Sequence, residues 1–191
     1  SILHPDRNNV APRLGVAWRA NPKTIVRGGY GINYASVPYM SVVQKLAGQP
    51  PFAVTNTVQG TATTPLLVAT VFATPPPATT TTNQFGVDPD YGIGYVQIWN
   101  VDVQREINRI WSAGLTYTGT KGSSLDLLRA PNRGPGGLRI PNVQPFTWES
   151  SGSTSIMNAL SVRLRKRLSQ GLSGGLTYTL SKAMDDASSV G

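Results

Sequence analysis

The sequence predicts an all-β fold built from antiparallel hairpins, and three observations lead to this prediction. Short segments alternate apolar and polar residues with period 2, turn-forming residues separate paired segments, and 20 Gly and 15 Pro among 191 residues disfavour long helices. The chain has no cysteine and one histidine, His4. Disulfides, cysteine-based metal sites and thiol catalysis are therefore excluded, and the length suffices for one domain with a core.

The first hairpin is predicted at about residues 13–34. Leu14, Val16 and Trp18 share one face of its first strand, and the residues between them share the other. Residues 20–23 have turn chemistry, because Pro fixes φ and Asn tolerates turn geometry. The return strand alternates in the same way, with Arg27 on its polar face.

Two further hairpins are predicted at about 95–118 and 160–182. Their tight turns lie near residues 107–110 and 169–171. The segment GLTYT occurs at 114–118 and again at 175–179, each time a few residues after a tight turn. The return strand of both hairpins is thus expected to be of one type.

Long connections separate the hairpins, at residues 35–94 and 119–155. Connections of this length are uncommon in compact domains unless they are functional or disordered. Residues 66–72, 123–128 and 146–149 are expected to form short strands within or beside them. The chain is therefore predicted to be a single partial β-barrel region over residues 1–191, in which tight turns alternate with long loops.

Two all-β architectures could produce this pattern, a soluble sandwich and a transmembrane barrel. A soluble sandwich would place Lys and Glu on its outer face, whereas the polar face here is Ser, Thr, Asn, Gly and Arg. A transmembrane barrel has strands of about 10 residues, aromatic girdles, and short turns at one end with long loops at the other. These features favour antiparallel hairpins of an outer-membrane-type barrel, with the sandwich as the alternative. The longest apolar run, residues 65–73, is too short for a spanning helix.

The charge pattern agrees with a membrane barrel. Only 14% of residues are charged, with 17 Lys+Arg against 9 Asp+Glu, for a net charge of +8. Since an Arg or Lys facing lipid costs about 2–4 kcal/mol at the midplane, charges should lie in the lumen or at strand ends. Lys23, Arg109 and Lys166 lie at or beside turns, where they could reach anionic headgroups. Five residues are candidate lumen-facing contacts: Arg27, Asn33, Asn100, Asp102 and Arg163.

Several blocks of the sequence resemble successive segments of the Oar-like TonB-dependent outer-membrane receptors. They are NVAPRLGVAW at 9–18, KTIVRGGYGINY at 23–34, YVQIWN at 95–100 with QRE at 104–106, YTGTKG at 117–122, and YTLSKAMDDASS at 178–189. The resemblance implies a gated transporter of roughly 22 strands with a plug, which imports bulky nutrients using energy from the inner membrane. This chain would supply about six of those strands.

An open sheet of six strands has two unpaired edges, which invite pairing with another chain. The expected partners are outer-membrane lipid and either the rest of the barrel with its plug or further copies of this chain. The first case places the protein in the bacterial outer membrane. The second is the alternative, a self-assembling extracellular β-rich filament or tube.

Catalytic and cofactor chemistry is not expected. Asp185-Asp186 is the only adjacent carboxylate pair, and the acidic segment 88–92 lacks the ligands of a calcium loop, so it is interpreted as a turn. The glycines at 28, 29 and 31 are predicted inside a strand and do not resemble a phosphate loop. We therefore predict no enzyme activity, no cofactor, no metal site and no nucleic-acid partner.

Overall fold

The computed structural model describes residues 3–49, 52–53, 84–141, 143 and 145–187, and these form two compact units. The first unit contains the described residues of 1–36, 89–127 and 150–190, and the second contains those of 37–88 and 128–149. The all-β prediction is confirmed, since antiparallel strands dominate the described residues. The elements are β1 Arg13–Asn21, β2 Thr24–Tyr34, α1 Val37–Ala47, β3 Gln84–Val87, β4 Tyr95–Glu106, β5 Trp111–Arg129, β6 Arg133–Gly134, β7 Gly137–Leu138, β8 Phe146–Ser169 and β9 Leu172–Asp185.

Six strands of the first unit form one sheet, in the order β1-β2-β4-β5-β8-β9. The predicted hairpins correspond to the antiparallel pairs β1–β2, β4–β5 and β8–β9. Between the hairpins, β2 pairs with β4 over its whole length, from Thr24 opposite Arg105 to Tyr34 opposite Tyr95. β1 and β9 are the two outer strands of this order, and all of their residues are exposed.

Local hydrogen bonds explain two of the tight turns, and backbone conformation explains the third. The side-chain oxygen of Asn21 accepts from the backbone N of Lys23 at 3.0 Å, and that of Asn108 accepts from the backbone N of Ile110 and Trp111 at 2.9 and 2.8 Å. Gln170 and Gly171 have positive φ of 52° and 77°, the backbone of a two-residue type I′ turn. This turn geometry follows the right-handed twist of the flanking strands.

The structure corrects the expected loop bounds at 119–155. β5 continues to Arg129 and β8 begins at Phe146, so most of this predicted loop is strand. The segment is rich in Gly and Ser, so it lacks the alternation on which the prediction relied, yet β4 pairs with β5 as far as Ser123. The short strands expected at 123–128 and 146–149 are parts of β5 and β8, and the one expected at 66–72 lies outside the described residues.

The predicted loop 35–94 also contains regular structure, namely α1 and β3. The signals for a helix are local: Pro38 lies in the first turn, where its missing N–H costs nothing, and Lys45 lies in the last turn. Gly48 follows, and its N donates to Gln44 O at 3.0 Å. The turn interpretation of the acidic segment agrees with the turn at residues 89–90.

Polar contacts around the short strand β3 hold the second unit together. β3 pairs in parallel with residues 146–149 of β8. Gln49 bonds both backbone groups of Phe85 through its side-chain amide, at 2.8 Å each. Lys45 Nζ lies 2.9 Å from Glu149 Oε2 and 4.9 Å from the centre of the Phe85 ring. These contacts join helix α1, strand β3 and the buried carboxylate of Glu149 within this unit.

Candidate functional site

The strand registers of the first unit separate one apolar face from one polar face across all six strands. Trp18 lies opposite Val26, Val26 opposite Val103, and Val103 opposite Leu115. At the other side of the sheet Val162 lies opposite Tyr178, and Leu160 opposite Leu180. Backbone contact joins the two halves, since Arg167 N donates to Ile110 O at 2.8 Å. Cross-strand neighbours therefore share the face that the alternation assigned to them.

The side chains of this apolar face are exposed or partly exposed and do not form a core. Exposed members occur on five of the strands: Leu14, Val16 and Trp18 on β1, Val101 on β4, Leu115 and Tyr117 on β5, Leu160, Val162 and Leu164 on β8, and Leu176, Tyr178 and Leu180 on β9. Among the described residues, the buried apolar side chains are Val42, Val87 and Tyr91. A continuous exposed apolar face of this extent marks a surface that contacts lipid or another protein.

At the strand ends away from the tight turns, the apolar face is bordered by a band of polar side chains. Gln97 lies opposite Lys121, and Asn158 lies opposite Lys182. Two tyrosines bond to this band: Tyr30 donates to Gln97 at 2.9 Å and Tyr117 to Asn158 at 2.7 Å. Aromatic rings with one apolar body and one bonded hydroxyl are typical of the interface between hydrocarbon and water.

Two of the five predicted lumen residues meet on the polar face. Arg27 and Asp102 are directly opposite in the β2–β4 pair, and their charged atoms Nη1 and Oδ2 lie 3.6 Å apart. Thr116 on β5 donates to Asp102 Oδ1 at 2.7 Å. Three strands thus contribute to one polar cluster around a carboxylate that is largely shielded from solvent.

Asn33 and Asn100 occupy other places on the same face. Asn33 accepts a hydrogen bond from Arg13 Nη2 at 2.9 Å, at the end of the hairpin away from its turn. The Asn100 amide packs over Gly29 on the neighbouring strand, since a Cβ at Gly29 would lie 3.4 Å from its side-chain atoms. Neither asparagine contacts the Arg27–Asp102 pair through a hydrogen bond among the described residues.

Arg163, the fifth predicted residue, lines a cavity of about 460 Å³ near the tight turns. We name this cavity the basic pocket and define it by six cationic side chains and one carboxylate: Arg19, Lys23, Arg105, Arg163, Arg165, Arg167 and Glu106. Arg167 forms a salt bridge with Glu106. Strand alternation places Arg19 and Arg165 on the polar face, but their separation along the chain hides their proximity in the sequence.

Residues 3–49, 84–141 and 145–187 contain no cluster of at least three His, Asp or Glu able to hold a metal ion. His4 Nδ1 lies 2.7 Å from Asp90 Oδ1, and both side chains are exposed. In the part of the chain that the structure describes, no helix has the length and apolarity needed to cross a membrane.

Comparison with known proteins gives one match. A family model described as an outer membrane beta barrel domain matches residues 1–191. Neither the curated proteins nor the solved structures yield a match. The family match decides between the two architectures that the alternation left open, in favour of the barrel. Because that match covers the whole sequence, the chain belongs to the outer membrane beta-barrel domain family and is placed in the bacterial outer membrane.

Proposed function

We propose that this chain forms part of the wall of a TonB-dependent outer-membrane transporter that takes up bulky nutrients and has no catalytic role. The exposed apolar face, continuous across six strands in register, is the observation that carries the proposal. Such a face suits a barrel wall in contact with lipid, and the opposite polar face suits a solvated lumen.

The sequence blocks that resemble Oar-like receptors support the narrower assignment. Residues 13–18 and 24–34 of these blocks lie in β1 and β2, residues 95–100 and 104–106 lie in β4, residues 117–122 lie in β5, and residues 178–185 lie in β9. The resemblance therefore falls on five of the six strands of this sheet. In this proposal the tight turns face the periplasm, and the longer connections face the outside.

The open edges favour strand pairing with a partner. Among the described residues, β1 and β9 each pair with one neighbouring strand only, so their outer edges lack a partner there, and a membrane barrel must close to satisfy such edges. The partners proposed here are further strands of the same barrel and its plug. Pairing between copies of the chain, as in a filament, is the competing arrangement.

Contact with the transported solute is proposed for the polar face. Arg27, Asn33, Asn100, Asp102 and Arg163 would line the path through the lumen. The Arg27–Asp102 pair combines donors and acceptors at one place, as a site for hydroxyl-rich or amide-rich solutes would require.

An uptake assay tests the proposal. Cells carrying the full protein are given a series of fluorescently labelled oligosaccharides and oligopeptides, with and without a protonophore that collapses the inner-membrane gradient. We expect accumulation of at least one probe in the periplasm that stops with the protonophore and is absent from cells lacking the protein. Accumulation that persists without the gradient would indicate a passive barrel and contradict TonB dependence.

Electron microscopy separates the filament from the barrel. The purified protein should give uniform particles that require detergent. Regular fibres that form without detergent would support assembly between copies and would contradict the transporter.

A further inference from the structure

The basic pocket concentrates positive charge on the polar face of the first unit. Six of the 17 Lys and Arg residues line it, against Glu106 alone among the acidic residues. Because a guanidinium keeps its charge at all relevant pH values, the five arginines are permanently cationic. Glu106 is paired with Arg167, and the pocket retains an excess of five positive charges.

The remaining cations have no acidic partner within the described ranges. Arg19, Lys23, Arg105, Arg163 and Arg165 form neither a side-chain hydrogen bond nor an ion pair there, whereas Arg13, Arg27 and Arg167 each do. Like charges close together repel one another and destabilise the unliganded state. A bound anion would relieve this repulsion and use guanidinium donors that the protein itself leaves unfilled.

The floor of the pocket leaves room for such an anion. Strand register places Arg19 opposite Ile25, Ile25 opposite Gln104, and Gln104 opposite Gly114. A Cβ at Gly114 would lie 3.8 Å from Arg163 Cβ, so Arg163 lies on the next strand of the same row. The centre of this row therefore carries a glycine and an uncharged amide, and the arginines lie to either side.

The spacing of the arginines indicates what could fill the pocket. Arg163 and Arg165 project from one face of β8 two residues apart, which is about 7 Å along a strand. Arg19 lies four strand spacings from Arg163, about 19 Å along the sheet. A single small anion can contact Arg163 and Arg165 but cannot reach Arg19 as well. An anion with several charges interacts with more of the cations in the pocket and therefore suits the site better.

We propose that the basic pocket binds a polyvalent oxyanion of the phosphate class, held by the forked donors of Arg163 and Arg165 and attracted by Arg19 and Lys23. The pocket lies on the polar face, whereas a lipid headgroup would approach from the apolar face. The anion is therefore a water-soluble one. This inference needs a solvated polar face, but it does not depend on energy-coupled uptake, so it stands or falls separately from the transporter.

Isothermal titration of the full chain with tripolyphosphate, in an uncharged detergent, tests the site. We expect saturable binding by the natural protein and at least about tenfold weaker binding by R163Q/R165Q, since each substitution removes charge-assisted hydrogen bonds. The control R13Q/R129Q removes the same charge outside the pocket and should bind within about twofold of the natural protein. Gel mobility before and after heating shows whether each variant is folded.

A second pair of variants keeps the test decisive. R163K/R165K retains the charge but loses the planar fork, and its affinity should fall between those of the natural protein and R163Q/R165Q. If R163Q/R165Q does not assemble, R19Q/K23Q replaces it and should also weaken binding, while R13Q/R129Q again should not.

Three results would overturn the proposal. The first is the absence of saturable binding by the natural protein. The second is an equal loss of affinity in R13Q/R129Q, which would show that only net charge matters. The third is a loss of binding to phosphatidylglycerol vesicles in R163Q/R165Q with tripolyphosphate affinity unchanged, which would assign the arginines to lipid.

Discussion

The indole of Trp99 lies directly over Gly119 on the neighbouring strand. The two residues are opposite in the β4–β5 pair, and a Cβ at position 119 would lie 2.2 Å from Trp99 Cε2. Gly119 is buried, whereas the residues beside it on β5 are partly exposed. The glycine thus provides the space that lets a large ring lie flat against the sheet, and the ring covers the glycine backbone in return.

Gly119→Ala should therefore destabilise the protein. The added methyl group forces the indole to turn away, and overpacking of this kind costs about 1–3 kcal/mol. Urea unfolding in detergent, followed by tryptophan fluorescence, measures the change. Gly15→Ala on β1 is the matched control, because its Cβ would lie 3.9 Å from Gly28 O, an ordinary contact. Equal stabilities for the two variants would show that Trp99 does not need this glycine.

Adjacent positions on β5 should face different media. Leu115 is on the apolar face, and Thr116 donates to Asp102 on the polar face. The absence of native cysteine allows a single spin label at each position. In lipid, a label at 115 should collide mainly with oxygen, and a label at 116 mainly with a water-soluble nickel reagent. Reversed or equal accessibilities would contradict the assigned facing.

A charge on the apolar face should impair assembly. Leu160 lies opposite Leu180, and Leu160→Arg should cost about 2–4 kcal/mol if the residue is near the membrane midplane. Ser161→Arg adds the same charge to the opposite face and loses one hydrogen bond to Thr179, worth about 1 kcal/mol. Unfolding in lipid vesicles compares the two variants. If Ser161→Arg were the more damaging, the lipid-facing assignment would be wrong.

The carboxyl group of Asp186, just after β9, should titrate at unusually low pH. Ser153 Oγ donates to it at 2.5 Å and the backbone N of Thr154 at 2.7 Å, and these bonds lower the pKa of Asp186. Since the folded pKa lies below the unfolded value, this contribution to stability is present above about pH 4 and is lost as pH falls through the folded pKa.

Ser153→Ala should raise the pKa of Asp186 toward its ordinary value. Carbon-13 NMR of the labelled carboxyl group in detergent measures the titration. Ser161→Ala, on the same strand but without contact to Asp186, serves as the control. An unchanged midpoint in Ser153→Ala would mean that the hydroxyl does not hold the carboxylate.

The type I′ turn between β8 and β9 should depend on its glycine. Gly171 has a φ of 77°, where an alanine costs about 1–2 kcal/mol. Gly171→Ala should lower the free energy of unfolding by this amount. Gly174→Ala should have little effect, because it has no positive φ and its Cβ would meet no atom within 4 Å. Equal effects would indicate a turn of another type.

Local sequence signals predict much of this fold. Alternation assigns Leu14, Val16 and Trp18 to one face, and turn residues place the three hairpins, because both signals act within a few residues. Local signals also indicate helix α1, because Pro38 lies in its first turn and Lys45 in its last turn. The loop-like composition of the surrounding residues hides these signals in the sequence. By contrast, the extensions of β5 and β8 have weak alternation, so only their pairing with neighbouring strands reveals them.

The sequence by itself determines which residues of each strand face apart, since side chains alternate along any extended backbone. It also determines that charge is scarce and lies on the polar side or at strand ends. Only the tertiary structure decides which strands are neighbours across the long connections, where Trp99 meets Gly119, and that Arg19 and Arg163 line one cavity. Register between distant segments depends on hydrogen bonds and packing summed over whole strands, and no local pattern contains that sum.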